Sequence, residues 1–550
     1  MKEIIKICLE KGILLDKEVF EILSSLNESN INEVINKIAE TKEKIITRSF
    51  FINNFDFFKN NELLEKLRIK FGISIEISRE ISKPEKQDKQ EKQKIKEEKA
   101  EERKQIKNIK VLYSAANLTK KLEVDDFVKY FRNRFLIIKT ILQQRPELDS
   151  LISINKISNT GQRQNISIIG IVYNKRITKN KNILLEIEDL TGKIFVLVNQ
   201  NKPDIYEKAK DVIVDSVIGI KGVGGGEWIY ANDIIFPDAI LQEKFLYDKD
   251  ESVAFTSDIH VGSKNFLEKN FLKFISWLNG NLGDARQREE AKKIKYLFLA
   301  GDNIDGIGVY PGQEAFLEIK DIKKQYEKLA EYLSILRKDI TIIICPGQHD
   351  AVRVAEPQPV IEKEYGYALH ELDNIILVSN PAIIEIMNNE KRGVKILMYH
   401  GDSLIPIISE VESLRAIKAH DNPAKIVRYL LKIRHLSPMH SSSIYIPNEK
   451  DDELVIKEVP DIITTADLHK PEVDMYNNVL IICSSCWQSM TPYEEKVGNH
   501  PDPCKVPILN LKTRQIKIMD FSELEEKEEK CEEKNGEIVC ETKKAVEVEK

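Results

Sequence analysis

Apolar positions change their spacing along the chain, and each change marks a different kind of segment. Residues 1 to about 75 repeat them at helical intervals: Ile4, Ile5 and Cys8, then Val19, Phe20, Leu23 and Leu26, then Ile35, Ile38 and Ile46. This predicts a small helical N-terminal domain over 1–75. Between Lys83 and Lys110 the chain is almost wholly Lys, Glu, Gln and Arg. Such a stretch buries too little apolar area to offset the entropy lost on ordering, so 76–112 is expected to be a charged linker. Helical spacing returns over 125–150 through Phe127, Tyr130, Phe131, Phe135 and Leu136. It then gives way to strand-like runs at Ile166–Tyr173, Ile183–Asp189, Lys193–Val198 and Val217–Val223, broken by Gly and Asn. With a Gly-rich turn at Gly222 to Gly226, these short strands predict a small barrel within 113–250.

From 251 to about 520, apolar runs alternate with helical stretches such as Phe266–Leu278 and Ile319–Leu336. That alternation predicts a layered α/β domain. Five of the runs end in Asp, His or a similar ligand. Val253–Ser257 leads into Asp258 and His260, and Tyr296–Gly301 into Asp302 and Asp305. Ile342–Gly347 leads into Gln348, His349 and Asp350, Ile396–Tyr399 into His400, and Ile462–Ala466 into Asp467 and His469. From Glu523 the chain turns acidic-basic and of low complexity, so 521–550 is expected to be a frayed tail.

Composition narrows the classes. At 550 residues the chain is too long for one ordinary core. A net charge of −6 gives no overall basic footprint, so contact with nucleic acid has to come from local patches or metals. The seven cysteines are dispersed and odd in number, which fits a reducing cytosol better than a disulfide framework. The N-terminus lacks the apolar core of a signal peptide, and no apolar stretch approaches membrane-spanning length. A cytoplasmic location is expected.

In an open α/β sheet, ligands collect outside the carboxyl ends of the strands. Carboxylate, imidazole and amide oxygen delivered there from five places point to divalent metals, and two metals about 3.5–4 Å apart need a bridging carboxylate. Each piece alone has an ordinary explanation. An Asp-x-His caps a helix, Asp302 and Asp305 cap a turn, His349–Asp350 is a structural pair, and His400 is a core histidine. Together, in one region and all after strands, they predict a metal centre.

The motifs Asp258-Ile-His260, Gly301-Asp302-Asn-Ile-Asp305, Gly347-Gln348-His349-Asp350, His400 and Ala466-Asp467-Leu-His469 resemble the five motifs of the calcineurin-like metallophosphoesterase superfamily. Gly301–Gln313, Arg434-His-Leu-Ser-Pro438, Trp487–Thr491 and Asn499–Ile508 are more closely similar to the small subunits of the archaeal family-D DNA polymerases. This resemblance spans about 125–520. It implies a calcineurin-like α/β phosphoesterase domain over 251–520, preceded by a barrel that resembles an OB-fold. It also implies a proofreading 3′–5′ exonuclease that partners a large polymerising subunit. The substrate would be a single-stranded or mismatched primer 3′ end, with the sliding clamp as a further partner.

By motif, Asp258, His260, Asp302 and His469 would hold one metal, with Asp302 bridging. Gln348, His400 and Asp467 would help hold the second. His349 would face the scissile phosphate without binding metal, and Asp305 would orient it. The cofactors implied are two divalent ions, Mn²⁺ first, with Mg²⁺, Fe²⁺ and Zn²⁺ as alternatives. Two positions depart from the superfamily: Gln348 stands where Asn is usual, and Asp467 where a His is usual. A non-catalytic scaffold subunit is the competing reading, and a stand-alone phosphatase or repair nuclease a third. Cys483 and Cys486 are read either as buried thiols beside Trp487 or as half a zinc site with Cys504 and His500. Arg434 and His435 either reach phosphate or hold a loop.

Overall fold

The structure, a computed structural model, describes residues 108–117, 121–158, 164–389, 391–440 and 443–522, with short pieces at 8, 11, 13–15, 45–46, 530–534 and 537–541. Most of the helical domain expected over 1–75 and of the charged segment 76–112 lies outside these residues, and Ile46, read there as helical, is in a strand. The chain divides into Met1–Glu91 and Lys92–Lys550. In the first unit, Leu14–Leu15 pairs in parallel with Ile45–Ile46.

In the second unit, the end of the charged segment is already a strand, β1 (Ile109–Ser114). Helix α1 (Val124–Leu142) follows, its start fixed by the Asp126 carboxylate, which accepts from the Glu123 backbone N–H at 2.9 Å. Its apolar face places Phe135, Ile138 and Leu142 against Leu148, Ile169 and Val217. Five strands then close a barrel in the order β2-β3-β4-β6-β5. They are β2 (Gln164–Ile177), β3 (Ile183–Asp189), β4 (Gly192–Val198), β5 (Val217–Gly225) and β6 (Trp228–Ile235). Strict alternation sends Leu185, Ile187, Ile194 and Val196 inward. The β3–β4 hairpin is closed by Asp189, whose side chain accepts from the Thr191 N–H at 2.7 Å and the Gly192 N–H at 3.1 Å. The glycine-rich stretch expected to turn is mostly strand: Gly222 to Gly225 continue β5, and the chain turns at Gly226 (φ 64°). Gly222 lies where the neighbouring strand comes close, since a Cβ there would sit 2.4 Å from the Tyr230 carbonyl oxygen.

Two six-stranded sheets make up the rest. The chain builds β7 (Ser252–Thr256), β8 (Ile294–Ala300), β9 (Thr341–Cys345) and β10 (Ile375–Leu377) as parallel neighbours of the first sheet. It then builds β11 (Ala382–Asn388), β12 (Lys391–Met398), β13 (Ile462–Thr465), β14 (Glu472–Tyr476) and β15 (Val479–Cys483) of the second. Finally it returns to the first through β16 (Lys505–Asn510) and β17 (Ile516–Asp520). The orders are β10-β9-β8-β7-β16-β17 and β14-β15-β13-β12-β11-β1. Val253, Phe255, Phe298 and Ile343 of the first sheet share one core with Ile384, Ile396, Ile462 and Ile482 of the second. The other face of the first sheet buries Phe274 of α2 (Glu268–Leu278) and Tyr326 and Leu333 of α3 (Ile322–Ser334). On the second sheet, Leu397, Ile463 and Ile481 join a core with α4 (Leu404–Glu410), α5 (Pro423–Ile433) and the barrel. Central strands buried on both sides account for unbroken apolar runs such as Ile342–Cys345. In the segment read as a tail, Lys530–Lys534 pairs antiparallel with Glu537–Glu541.

Candidate metal centre

The carboxyl ends of β7, β8, β9, β12 and β13 bring the ligand residues together. After β7, β8 and β13 the backbone enters the left-handed region. Asp258, His260, Asp302, Asp467 and His469 all have positive φ, between 47° and 68°. For non-glycine residues this costs roughly 1–3 kcal/mol each, and such strain clusters at functional sites. The turns are tied to one another: the Asp258 N–H donates to the Gly301 carbonyl at 3.0 Å, and the His260 N–H to the Asp302 carbonyl at 3.1 Å.

Three imidazoles are clamped through Nδ1. His260 donates to Asp305 Oδ1 at 3.1 Å, His400 to the Ala300 carbonyl at 2.8 Å, and His469 to Glu494 Oε1 at 2.7 Å. Each therefore presents Nε2, the arrangement in which a second partner fixes the tautomer of a ligating histidine. These Nε2 atoms converge on carboxylates. His400 Nε2 is 3.4 Å from Asp302 Oδ2 and 4.0 Å from Asp467 Oδ1, His260 Nε2 is 4.0 Å from Asp302 Oδ2, and His469 Nε2 is 3.4 Å from Asp258 Oδ1. Asp258/His260/His469, His260/Asp302/His349 and Asp258/Asp302/His400 are each close enough to share an ion. Asp258, His260 and Asp302 each belong to two of these groups.

The donor set fits bound metal on two observations. Asp258 Oδ1, His260 Nε2, Gln348 Oε1 and His400 Nε2 are all buried without a hydrogen-bond partner, and unsatisfied buried polar atoms are rare. Crowded carboxylates also need positive charge. Burial pushes the Asp467 carboxyl up to about 7, opposed by His400 and reinforced by Asp258, Asp302 and Asp402. Burial would likewise raise Asp302, but the His400, His349 and His260 imidazoles outweigh it and hold this carboxyl well below its usual range. Burial would lower His400, yet Asp302, Asp258 and Asp467 keep it well above.

Gln348 lies beside this set. Its amide nitrogen donates to Asp402 Oδ1 at 3.0 Å and Asp467 Oδ1 at 3.4 Å, while Oε1 is buried without a hydrogen-bond partner. His349 lies against His260, with ring centroids 4.7 Å apart, and is also held through Nδ1. Its backbone N–H donates to Asp302 Oδ1 at 2.9 Å, and its Nδ1 donates to the backbone carbonyl of Asp305 at 2.7 Å. The Asp305 carboxylate was expected to orient His349. It is 3.9 Å from that ring and instead accepts from His260, so His349 is oriented by the Asp305 main chain.

Behind the site, Asp350 has the structural role its pairing with His349 allowed, while Gln313, Glu494 and Asp402 were not singled out in the sequence. Asp350 is buried and accepts from the Gly347 N–H at 2.9 Å, the Asn303 N–H at 3.2 Å, the Asn303 amide at 2.9 Å and the Tyr326 hydroxyl at 3.0 Å. It thereby joins the loops that carry Asp302 and Gln348. Gln313 donates to the Asp305 carbonyl at 2.7 Å. Glu494 was legible only as a helix cap, through the Thr491-x-x-Glu pattern that starts Pro492–Val497. Asp402 had no local signal.

The other residues singled out are structural. Arg434 and His435 are both buried. Arg434 donates to the Ile456 and Lys457 carbonyls at 2.6 Å, and His435 Nε2 lies 2.9 Å from Asp452, which also pairs with buried Arg134 at 2.7 Å. Cys483, Cys486 and Cys504 are buried free thiols, and among the described residues no cysteine joins a metal-capable group. Trp487 donates to Thr256 Oγ1 at 2.7 Å.

Among the described residues, no helix is long and apolar enough to cross a membrane. Residues 253–474 match the DNA polymerase alpha/epsilon B-subunit family. A DNA polymerase II small subunit from Pyrococcus furiosus is 39% identical over 403 residues, 72% of this chain and 64% of that protein. The chain thus spans a little under two thirds of that relative. One from Methanothermobacter thermautotrophicus is 39% identical over 73% of this chain and 80% of its own length, and one from Archaeoglobus fulgidus is 37% identical over 73% and 78%. Among solved structures, a novel archaeal phosphodiesterase aligns at 12% identity over 49% of this chain and 98% of its own, with a TM-score of 0.24. On the extent of these sequence matches, the chain belongs to the family of archaeal DNA polymerase II small subunits.

Proposed function

We propose that this chain is the proofreading 3′–5′ exonuclease subunit of a two-subunit DNA polymerase and hydrolyses DNA phosphodiesters at a two-metal centre. On this reading residues 251–520 are a layered calcineurin-like domain and the five-stranded barrel is an OB-fold. The charged segment 76–112 links them to a helical domain at 1–75, and 521–550 is a tail. The partners are the large polymerising subunit, the primer 3′ end and the sliding clamp, in the cytoplasm. The observation that carries the proposal is the convergence of Asp258, His260, Asp302, Gln348, His400, Asp467 and His469 with four orphaned ligand atoms among them.

Asp258, His260, Asp302 and His469 would hold one cation. Asp302, Gln348, His400 and Asp467 would hold the other. When bound, a pair of divalent ions, Mn²⁺ first, supplies a hydroxide at neutral pH and neutralises charge developing on the phosphate. The chain's own residues do the rest. Asp305, Ala300 and Glu494 fix the imidazoles so that every Nε2 faces inward. His349, held by the Asp305 carbonyl through Nδ1, directs Nε2 to the side of Asp302, 3.9 Å from its carboxylate. Burial lowers the His349 pKa against the pull of Asp302, so Nε2 must first take a proton from solvent and can then pass it to the leaving 3′-oxygen, a role worth about 10²–10⁴-fold. The carboxylate Asp467, where a His is usual, favours harder cations.

The test is release of mononucleotide from a mismatched primer labelled at its 3′ end, with Mn²⁺, by the chain alone and with the large subunit. Release by the wild type and none by Asp302→Asn supports the reading. No release by either wild-type preparation would leave the non-catalytic scaffold as the function.

A further inference from the structure

In front of the metal centre lies a cleft of about 920 Å³. Its inner end is made by the ligands already described. Its side wall, formed by α4, the short helix Glu412–Ala416 and the turn Ala419–Asp421, has a different chemistry. Leu404, Ile407 and Ile408 anchor this wall in the core. Ile405, 47% exposed, faces the cleft together with Arg415, Lys418 and His420, all exposed.

The wall carries Arg415 and Lys418 beside exposed Glu410, and Arg415 donates to the Ser409 carbonyl. Asp421 is taken by Lys470 at 2.6 Å, and Glu412 by Lys210 at 3.2 Å. Lys418 makes no ion pair among the described residues. Its backbone is left-handed, at φ 50°, a conformation that costs a non-glycine residue roughly 1–2 kcal/mol and here projects it at the head of a turn. Tyr310 lines the same cleft with its ring centroid 6.4 Å from that of His349. A chain of net charge −6 thus sets Lys418, Arg415 and two apolar faces beside an acidic metal centre. That combination suits a polyanion whose bases are free to stack.

Resting on the function proposed above, we propose that this wall guides an unpaired DNA strand into the centre. Lys418 and Arg415 take backbone phosphates 5′ to the scissile one, and Ile405 and Tyr310 take the faces of the terminal bases. A base held in a duplex has no free face to offer, so the wall selects frayed and mismatched ends over paired ones.

The test uses the full chain with Mn²⁺ on an oligothymidylate and on the same 3′ end fully paired. Lys418→Ala should raise KM for the oligonucleotide about tenfold with little change in kcat, and should lower the slope of log KM against log salt by about 0.7, the value of one single-strand phosphate contact. Ile405→Ser should narrow the preference for unpaired over paired ends. A wild type that releases nucleotide, with both variants matching it in KM, salt slope and end preference, overturns the guide and leaves the exonuclease standing. A wild type that releases none overturns both.

Discussion

Gly347 offers a way to break the metal centre without removing a single ligand. A Cβ built on it would lie 2.2 Å from Asp302 Oδ1, 2.5 Å from the Asp302 backbone nitrogen and 2.8 Å from His400 Nε2. Real Cβ contacts stay above 3.0 Å, so in Gly347→Ala the loop or the Asp302 carboxylate has to move by roughly 1 Å. The backbone nitrogen cannot swing away as a side chain can, and the carboxylate would also lose the 2.9 Å hydrogen bond from the His349 N–H. Metal sites tolerate ligand errors of about 0.2 Å. The expected result is a fall in metal affinity of at least about 10–100-fold, the size seen when supporting partners are lost, with turnover falling alongside. Overpacking should cost about 1–3 kcal/mol of stability, so the fold survives to be assayed. Metal content is measured after dialysis at defined free Mn²⁺, and turnover on the mismatched primer. Gly192→Ala is the comparison, since its new Cβ would meet nothing closer than Ile154 Cγ2 at 3.6 Å. Wild-type metal occupancy and turnover in Gly347→Ala would refute the account of how Asp302 is held.

Three further outcomes are expected. His349→Ala should lower turnover about 10²–10⁴-fold at full metal occupancy, and loss of metal instead would make His349 a ligand. Asp350→Ala leaves the Gly347 and Asn303 N–H groups and the Tyr326 hydroxyl without their acceptor, at about 1–3 kcal/mol per buried group, so urea unfolding should show several kcal/mol lost. Asp350→Asn keeps an acceptor oxygen and should lose less, and equal effects would count against the hydrogen-bond argument. Stability should fall as pH drops from 6.5 towards 4. Burial and Arg134 lower the His435 pKa to about 4 against Asp452, so the folded state stays neutral while the unfolded chain takes up a proton below 6.5. The resulting loss is of order 3 kcal/mol by pH 4, is absent above pH 6.5, and should flatten in His435→Gln when the melting temperature is followed against pH.

The sequence by itself determined the elements that local chemistry specifies. Unbroken runs such as Ile342–Cys345 are strands because both faces are buried, and that needs no knowledge of neighbours. Placing the ligands at the ends of such runs also followed, since an apolar strand must stop where polar residues begin. Only the tertiary structure decided which polar group answers which. The Asp305 carboxylate serves His260 and leaves His349 to a main-chain carbonyl, a choice set by how two loops approach. Glu494 reaches His469 from a helix, and Asp402 after the second sheet reaches Gln348 after the first, because segments far apart in the chain meet where the two sheets end. The same holds for Ile109–Leu112 at the end of a charged segment, which become strand because β11 offers an open edge. Periodicity and turn chemistry act over a few residues and can be read along the chain. Partner choice depends on packing across sheets and has no local signature.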